Sequence, residues 1–146
     1  SVRGLEPGPT RERVATLARD LGLDERLREP VRGFSHGMRK KLSFLAAVLH
    51  RPSVLLCDEA LEGFDAAAAA AAKTVLREMR EAGAAILFSS HVTETMERLC
   101  DRVVFLWQGR VVRSLDREGW GAPPPGPGPL EREMLALATS SSPQEP

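Results

Sequence analysis

Four consecutive apolar residues, Val54-Leu55-Leu56-Cys57, stop abruptly at two acids, Asp58-Glu59, and that boundary constrains the fold more than any other feature of the chain. An unbroken apolar run of this length suits a strand buried on both faces of a parallel sheet, because a strand with one wet face alternates instead. Parallel strands need a crossover, and a helical one follows. Asp65 can cap a helix through Ala66–Ala82, with Val75, Leu76 and Met79 as its apolar stripe and Gly83 as its C-cap. A second apolar run, Ala84–Phe88, then closes on Ser89-Ser90-His91. This β-α-β order predicts an α/β fold.

The flanking segments extend the pattern. After a Pro/Gly-rich opening, Thr10 can cap a helix whose apolar positions Val14, Leu17, Ala18 and Leu21 recur at helical spacing, with Gly22 as its stop. A polar loop punctuated by Pro30 and Gly33 leads to Phe34-Ser35-His36-Gly37-Met38. There a second helix begins, burying Leu42, Leu45, Ala46 and Leu49 and running to about His50 before Pro52 forbids continuation. Val92, Met96 and Leu99 mark a short helix after His91, and Arg102–Trp107 and Arg110–Leu115 flank Gln108-Gly109 as a hairpin. Ala122–Pro129 reads as a Pro/Gly linker, and Leu130, Met134 and Leu137 as one amphipathic turn or two. The expected organisation is one domain over 1–121 and a linker with a disordered tail over 122–146.

Composition narrows the partners. Lys+Arg and Asp+Glu both number 20, so no global field favours nucleic acid or an acidic membrane. Cys57 and Cys100 are the only cysteines and form no framework, which fits a reducing compartment. No apolar stretch approaches the roughly 20 residues that a membrane-spanning helix needs. The start at Ser1 shows no signal-peptide pattern, and the missing initiator Met points to a fragment.

Three separated elements carry possible chemistry. A Ser/Gly turn opening a helix is most often only a cap, yet its exposed N–H groups and positive dipole end also form an anion site, with Ser35 giving a hydroxyl and Gly37 close backbone approach. Arg39, Lys40 and Lys41 add positive charge there or simply make a solvated helix face. Asp58 and Glu59 are either an exposed acidic turn or a functional pair, standing where open α/β sheets place their ligands, at the C-terminal end of a strand. One carboxylate can hold Mg²⁺ through water while its neighbour, pointing the other way in extended chain, orients or deprotonates an attacking water. His91 is either a satisfied turn histidine or a donor to a terminal phosphate.

Taken in order, these residues resemble the second half of the ABC ATPase family over roughly Thr10 to Leu115. Phe34-Ser35-His36-Gly37-Met38 resembles the signature motif, Val54–Asp58 the Walker B strand, Glu59 the catalytic base, Leu61–Asp65 the D-loop and His91 the switch residue. The form of the signature is similar to that of bacterial exporter ATPases that work with separate membrane subunits. The resemblance implies the C-terminal part of a P-loop NTPase domain: a parallel sheet core, a helical signature subdomain and a closing hairpin. It implies ATP and Mg²⁺ as ligands, with Ser35, His36, Gly37, Met38 and Asp65 binding nucleotide, Asp58 the metal, and Glu59 and His91 catalytic. It further implies a second ATPase subunit with ATP at the interface, transmembrane permease subunits, and a cytoplasmic place on the inner face of the membrane, with no nucleic acid.

Departures from the family pattern qualify this. His36 and Met38 replace the commoner Gly and Gln, Ala60 stands where Pro usually follows the Glu, and Phe64 where Leu is usual. More serious, no G-x-x-x-x-G-K-[ST] occurs in the 146 residues, so the phosphate cradle, its Lys and its Mg²⁺-binding hydroxyl are missing, as is the upstream glutamine. The chain alone is therefore expected to be inactive, and its apolar strands to leave exposed surface or an open edge, with marginal stability. An alternative is a non-hydrolytic partner that lends its signature face to a complete ATPase. A DNA-maintenance ATPase ranks last, since no sustained heptads precede Thr10 and no basic patch extends beyond Arg39–Lys41.

Overall fold

Asp65 and Gly83 bracket the central helix as their chemistry dictates. In the computed structural model, which describes residues 7–120 and 128–140, Asp65 accepts from the Ala68 N–H at 2.9 Å and opens α3 (Ala66–Glu81). Gly83 takes φ +91, and the Gly83 and Ala84 N–H groups return to the Arg80 and Met79 carbonyls. This is the left-handed stop that a glycine without Cβ adopts most readily. Its buried stripe is Ala68, Ala72, Leu76 and Met79, so the polyalanine supplies core-facing positions.

The described residues fall into two compact units that divide between Ser89 and Ser90. In the first, α1 (Pro7–Asp20) and α2 (His36–Val48) precede β1 (Val54–Asp58), α3 and β2 (Ala85–Ser89). β1 and β2 pair in parallel, in register from Val54 opposite Ala85 to Asp58 opposite Ser89, and α3 is their crossover. The α/β reading is correct. Leu17, Ala18 and Leu21 of α1 are buried as expected and Val14 is half-buried. Arg13 donates from Nε to the Leu49 carbonyl at 3.0 Å, satisfying an open carbonyl at the end of α2, and burial pushes its pKa down.

Two expectations change in this unit. The inward stripe of α2 is Lys41, Phe44, Leu45 and Val48, one position away from much of the expected set, while Ala46 is exposed. A lysine takes an inward position because its aliphatic stem packs well and a carboxylate meets its ammonium. β1 is buried on one face only: Leu55 and Cys57 point inward, whereas Val54 is 63% and Leu56 73% exposed. Leu87, opposite Leu56, is 70% exposed, so the parallel pair carries a bare apolar face, the exposed surface expected of strands without cover. Cys57 is buried, and burial pushes its thiol pKa up.

The second unit holds α4 (Thr93–Leu99), the hairpin β3 (Arg102–Trp107) and β4 (Arg110–Asp116), α5 (Arg117–Trp120) and α6 (Pro129–Ser140). Gln108 and Gly109 both have positive φ, the two-residue turn whose twist suits a hairpin. The amphipathic segment expected as one turn or two is a helix of 12 residues, and its Leu130 is fully buried with Val103 and Trp120. A feature not foreseen holds it in place: the buried Glu97 accepts from the Leu130 N–H at 2.7 Å, capping α6 from α4. Most of the Pro/Gly linker and the terminal residues 141–146 lie outside the described residues.

Candidate functional site

Asp58 ends β1, and the strand geometry stops there. Ser89, its register partner on β2, donates from Oγ to Asp58 Oδ1 at 2.5 Å and accepts from the Glu59 N–H at 3.0 Å. One hydroxyl therefore orients the carboxylate and fixes the start of the next turn. Glu59 has φ +45, the left-handed region, which for a residue with a side chain costs on the order of 1–3 kcal/mol and persists only where its surroundings impose it. The expectation that Asp58 and Glu59 diverge by strand alternation is thus replaced: a left-handed backbone, not the pleat, aims Glu59. Both side chains are exposed.

Ser35 opens α2 by accepting from the Met38 N–H at 3.2 Å, which leaves the His36 and Gly37 N–H groups as the first two of the helix, ahead of its intrahelical bonding. Ser35 and His36 are exposed, and Phe34 just before them is buried and anchors the turn. A Cβ on Gly37 would stand 2.9 Å from the Gly63 carbonyl oxygen, too close for any real Cβ. Glycine is needed here because the 59–65 turn presses against the helix start.

The cations of α2 have assigned partners. Arg39 Nη1 donates to the Phe34 carbonyl at 2.5 Å. Lys40 Nζ donates to the Glu62 carboxylate at 2.8 Å and to the Glu59 carbonyl at 3.2 Å. Lys41 Nζ, on a side chain only 10% exposed, pairs with Asp65. The hydrogen bond from Lys41, helped by the Ala68 N–H, holds the Asp65 carboxyl pKa down at about 2. Of the residues Arg39–Lys41, Arg39 lies on an exposed face as the solvated reading has it, Lys40 is half-buried and Lys41 buried, and the two lysines also fasten the 59–65 turn.

Ser35, His36, Gly37, Met38, Asp58, Glu59 and Asp65 all belong to the first unit, and the turn after Glu59 lies against the start of α2. His91 belongs to the second unit, where it is exposed in a turn held by the Val92 N–H on Ser90 Oγ at 3.0 Å. Reasoning from sequence missed the role of Ser89, and it weighed Lys40 and Lys41 only as charge, not as anchors of the 59–65 turn. The spacing Gly37, Lys40, Lys41, Phe44, one face of a helix, was the available signal for the lysines.

Mg²⁺ characteristically keeps several waters and takes one or two carboxylates besides phosphate oxygens. Among the described residues no group of three His, Cys, Asp or Glu side chains could hold a metal unaided. Asp58, oriented by Ser89 and exposed, fits the single-carboxylate role. No helix among the described residues is long and apolar enough to cross a membrane.

Known proteins resemble this chain in sequence and in fold. A family model described as ABC transporter matches residues 5–62. The uncharacterized ABC transporter ATP-binding protein YhcH of Bacillus subtilis is 35% identical over 106 residues, covering 72% of this chain and 35% of that protein. The linearmycin resistance ATP-binding protein LnrL of the same organism is 31% identical over 109 residues, 75% of this chain and 35% of that protein. The chain thus spans about a third of the length of these relatives. Among solved structures, the ATP-binding subunit of an ABC transporter superimposes with TM-score 0.71 at 34% identity, covering 77% of this chain and 47% of that one. A dimeric ATP-binding cassette with bound ADP and Pi gives TM-score 0.66 at 20% identity over 79% of this chain and 50% of that one, a likeness of fold.

Proposed function

This chain belongs to the ABC transporter ATP-binding family, and from that premise we propose that it is the signature and Walker B part of an ATP-hydrolysing subunit driving export through separate membrane subunits. The observation that carries the reading is the pair Asp58 and Glu59 at the end of β1, with Ser89 orienting one and a left-handed backbone aiming the other. ATP lies between two such domains. Ser35 and the His36 and Gly37 N–H groups face the terminal phosphate of the nucleotide held by the partner, with Met38 and Asp65 beside them; Asp58, Glu59 and His91 serve their own subunit's nucleotide. Asp58 would hold Mg²⁺, which when bound supplies charge neutralisation at the phosphates. Glu59 accepts a proton from, or orients, the attacking water, and His91 donates a hydrogen bond to the terminal phosphate without needing full charge. Positioning and electrostatics carry most of the rate. The subunit works at the inner face of the membrane.

Since the 146 residues contain no phosphate loop, hydrolysis requires one from outside them. In an ATPase assembled with that loop, Glu59→Gln lowers turnover about 10²–10⁴-fold and leaves ATP binding intact. Undiminished hydrolysis would remove Glu59 from the role. The same missing loop favours a second reading, a non-hydrolytic partner that lends Ser35 and Gly37 to a complete ATPase. Submillimolar Mg-ATP binding by the chain alone would overturn that reading, and binding only on mixing with a complete subunit would support it.

A further inference from the structure

The left-handed backbone of Glu59 needs an external cause: Ser89 holds its N–H, and one face of α2 holds the rest of the turn. Gly37, Lys40, Lys41 and Phe44 stand at i, i+3, i+4 and i+7, and each meets the turn between β1 and α3. Gly37 abuts the Gly63 carbonyl, and Lys40 bonds the Glu59 carbonyl and the Glu62 carboxylate. Lys41 pairs with Asp65, and Phe44 meets the Phe64 ring edge-on at 6.1 Å between centroids. The turn is therefore held at its first residue, its middle and its last. Within it the Glu62 N–H returns to the Glu59 carbonyl at 3.1 Å and the Phe64 N–H to the Leu61 carbonyl at 3.2 Å, short-range bonds that would not by themselves impose a left-handed residue at Glu59.

We propose that Lys40 and Lys41 are positioning residues: Lys40, through the Glu59 carbonyl, and Lys41, through Asp65, hold the turn so that the Glu59 carboxylate keeps its aim. The proposal rests on the reading of Glu59 as the base. Lys40 acts at the residue that matters and is the informative one to change; Lys41 secures the far end. Arginine at position 40 can make the same donations, whereas methionine keeps the stem and loses the ammonium.

The test compares Lys40→Met and Lys40→Arg with the unaltered chain by NMR and amide hydrogen exchange. The intraresidue amide–Hα NOE of Glu59 is strong only at positive φ. In Lys40→Met it weakens, and the Glu62 and Phe64 amides exchange about tenfold faster, the scale of one lost hydrogen bond to a charged group. Leu45 and Leu76, inside α2 and α3, exchange as before, and Lys40→Arg restores the turn. An unchanged NOE, or equal acceleration of every amide, overturns the proposal. In the hydrolysing assembly Lys40→Met lowers kcat with KM for ATP unchanged. If Glu59→Gln abolishes turnover and Lys40→Met leaves kcat unchanged, the positioning role fails; if Glu59→Gln leaves turnover intact, the reading of Glu59 as the base fails.

Discussion

Asp65 and Lys41 form an ion pair whose two halves are unequal, and the inequality sets the sign of a mutational comparison. The Lys41 side chain is 10% exposed and that of Asp65 59%. Asp65→Ala removes the N-cap of α3, at about 1 kcal/mol, and strands the Lys41 ammonium. A fully sealed stranded charge costs about 3–5 kcal/mol; here water reaches the vacated carboxylate side, and about 1 kcal/mol is the appropriate scale. The total is about 2 kcal/mol. Lys41→Met keeps the packed stem, and Asp65 rehydrates while still capping Ala68, so the cost stays within about 1 kcal/mol, as for exposed pairs. The double variant loses the cap but strands nothing, and falls between the two. Urea unfolding at neutral pH, read as a midpoint shift at constant slope, measures all three. Lys41→Met destabilising as much as Asp65→Ala would refute the reasoning. The pH dependence has a definite sign. The Asp65 carboxyl is depressed to about 2 in the folded chain, so its contribution is complete above its unfolded value of about 4 and is lost as pH falls through about 2. Asparagine still caps a helix, so the gap between the unaltered chain and Asp65→Asn should be constant above about pH 5 and close between about pH 4 and 2.

Other outcomes follow from the same geometry. Gly37→Ala drives a Cβ to 2.9 Å from the Gly63 carbonyl, and forcing the helix start and the turn apart should cost about 1–3 kcal/mol in the same urea assay. Leu56 and Leu87 are exposed on the bare sheet face; replacing both with Thr should lower binding of a hydrophobic dye and concentration-dependent association with little change in unfolding midpoint. A loss of more than about 2 kcal/mol would mean that these side chains are covered. A Cβ at Gly128 would collide with the Glu97 carboxylate and push it off the Leu130 N–H that it caps, so Gly128→Ala should loosen α6, seen as a red shift of fluorescence from Trp120, buried beside Leu130. An unshifted spectrum would show that α6 does not depend on this fit.

Local chemistry made much of the architecture legible. Caps at Ser35 and Asp65, stops at Gly22 and Gly83, and two apolar runs separated by a helix are determined by neighbours in the chain, so α2, β1, α3, β2 and the hairpin could be read from residue order. The motif residues were legible for the same reason. Which face stays bare was not: exposed apolar surface was expected of these strands, but Val54 and Leu56 are as apolar as Leu55, and only what lies across the sheet selects the covered side. Nor was the inward turn of Lys41, since a lysine is buried only where a carboxylate 24 positions away comes to meet it.

By itself the sequence determined the α/β order, the starts of α2 and α3 and the identity of the residues with usable chemistry, because each depends on a few adjacent residues and on backbone preferences; it misplaced the start of α1, which begins at Pro7 and holds Thr10 inside it rather than as its cap. Only the tertiary structure decided their aim. The Glu59 backbone turns left-handed while Ser89 holds its N–H and Lys40 its carbonyl. The Asp58 carboxylate is oriented by a hydroxyl 31 residues away. Such contacts arise when parallel strands and a crossover helix bring distant positions to one sheet end, and no local pattern encodes the distances at which they meet.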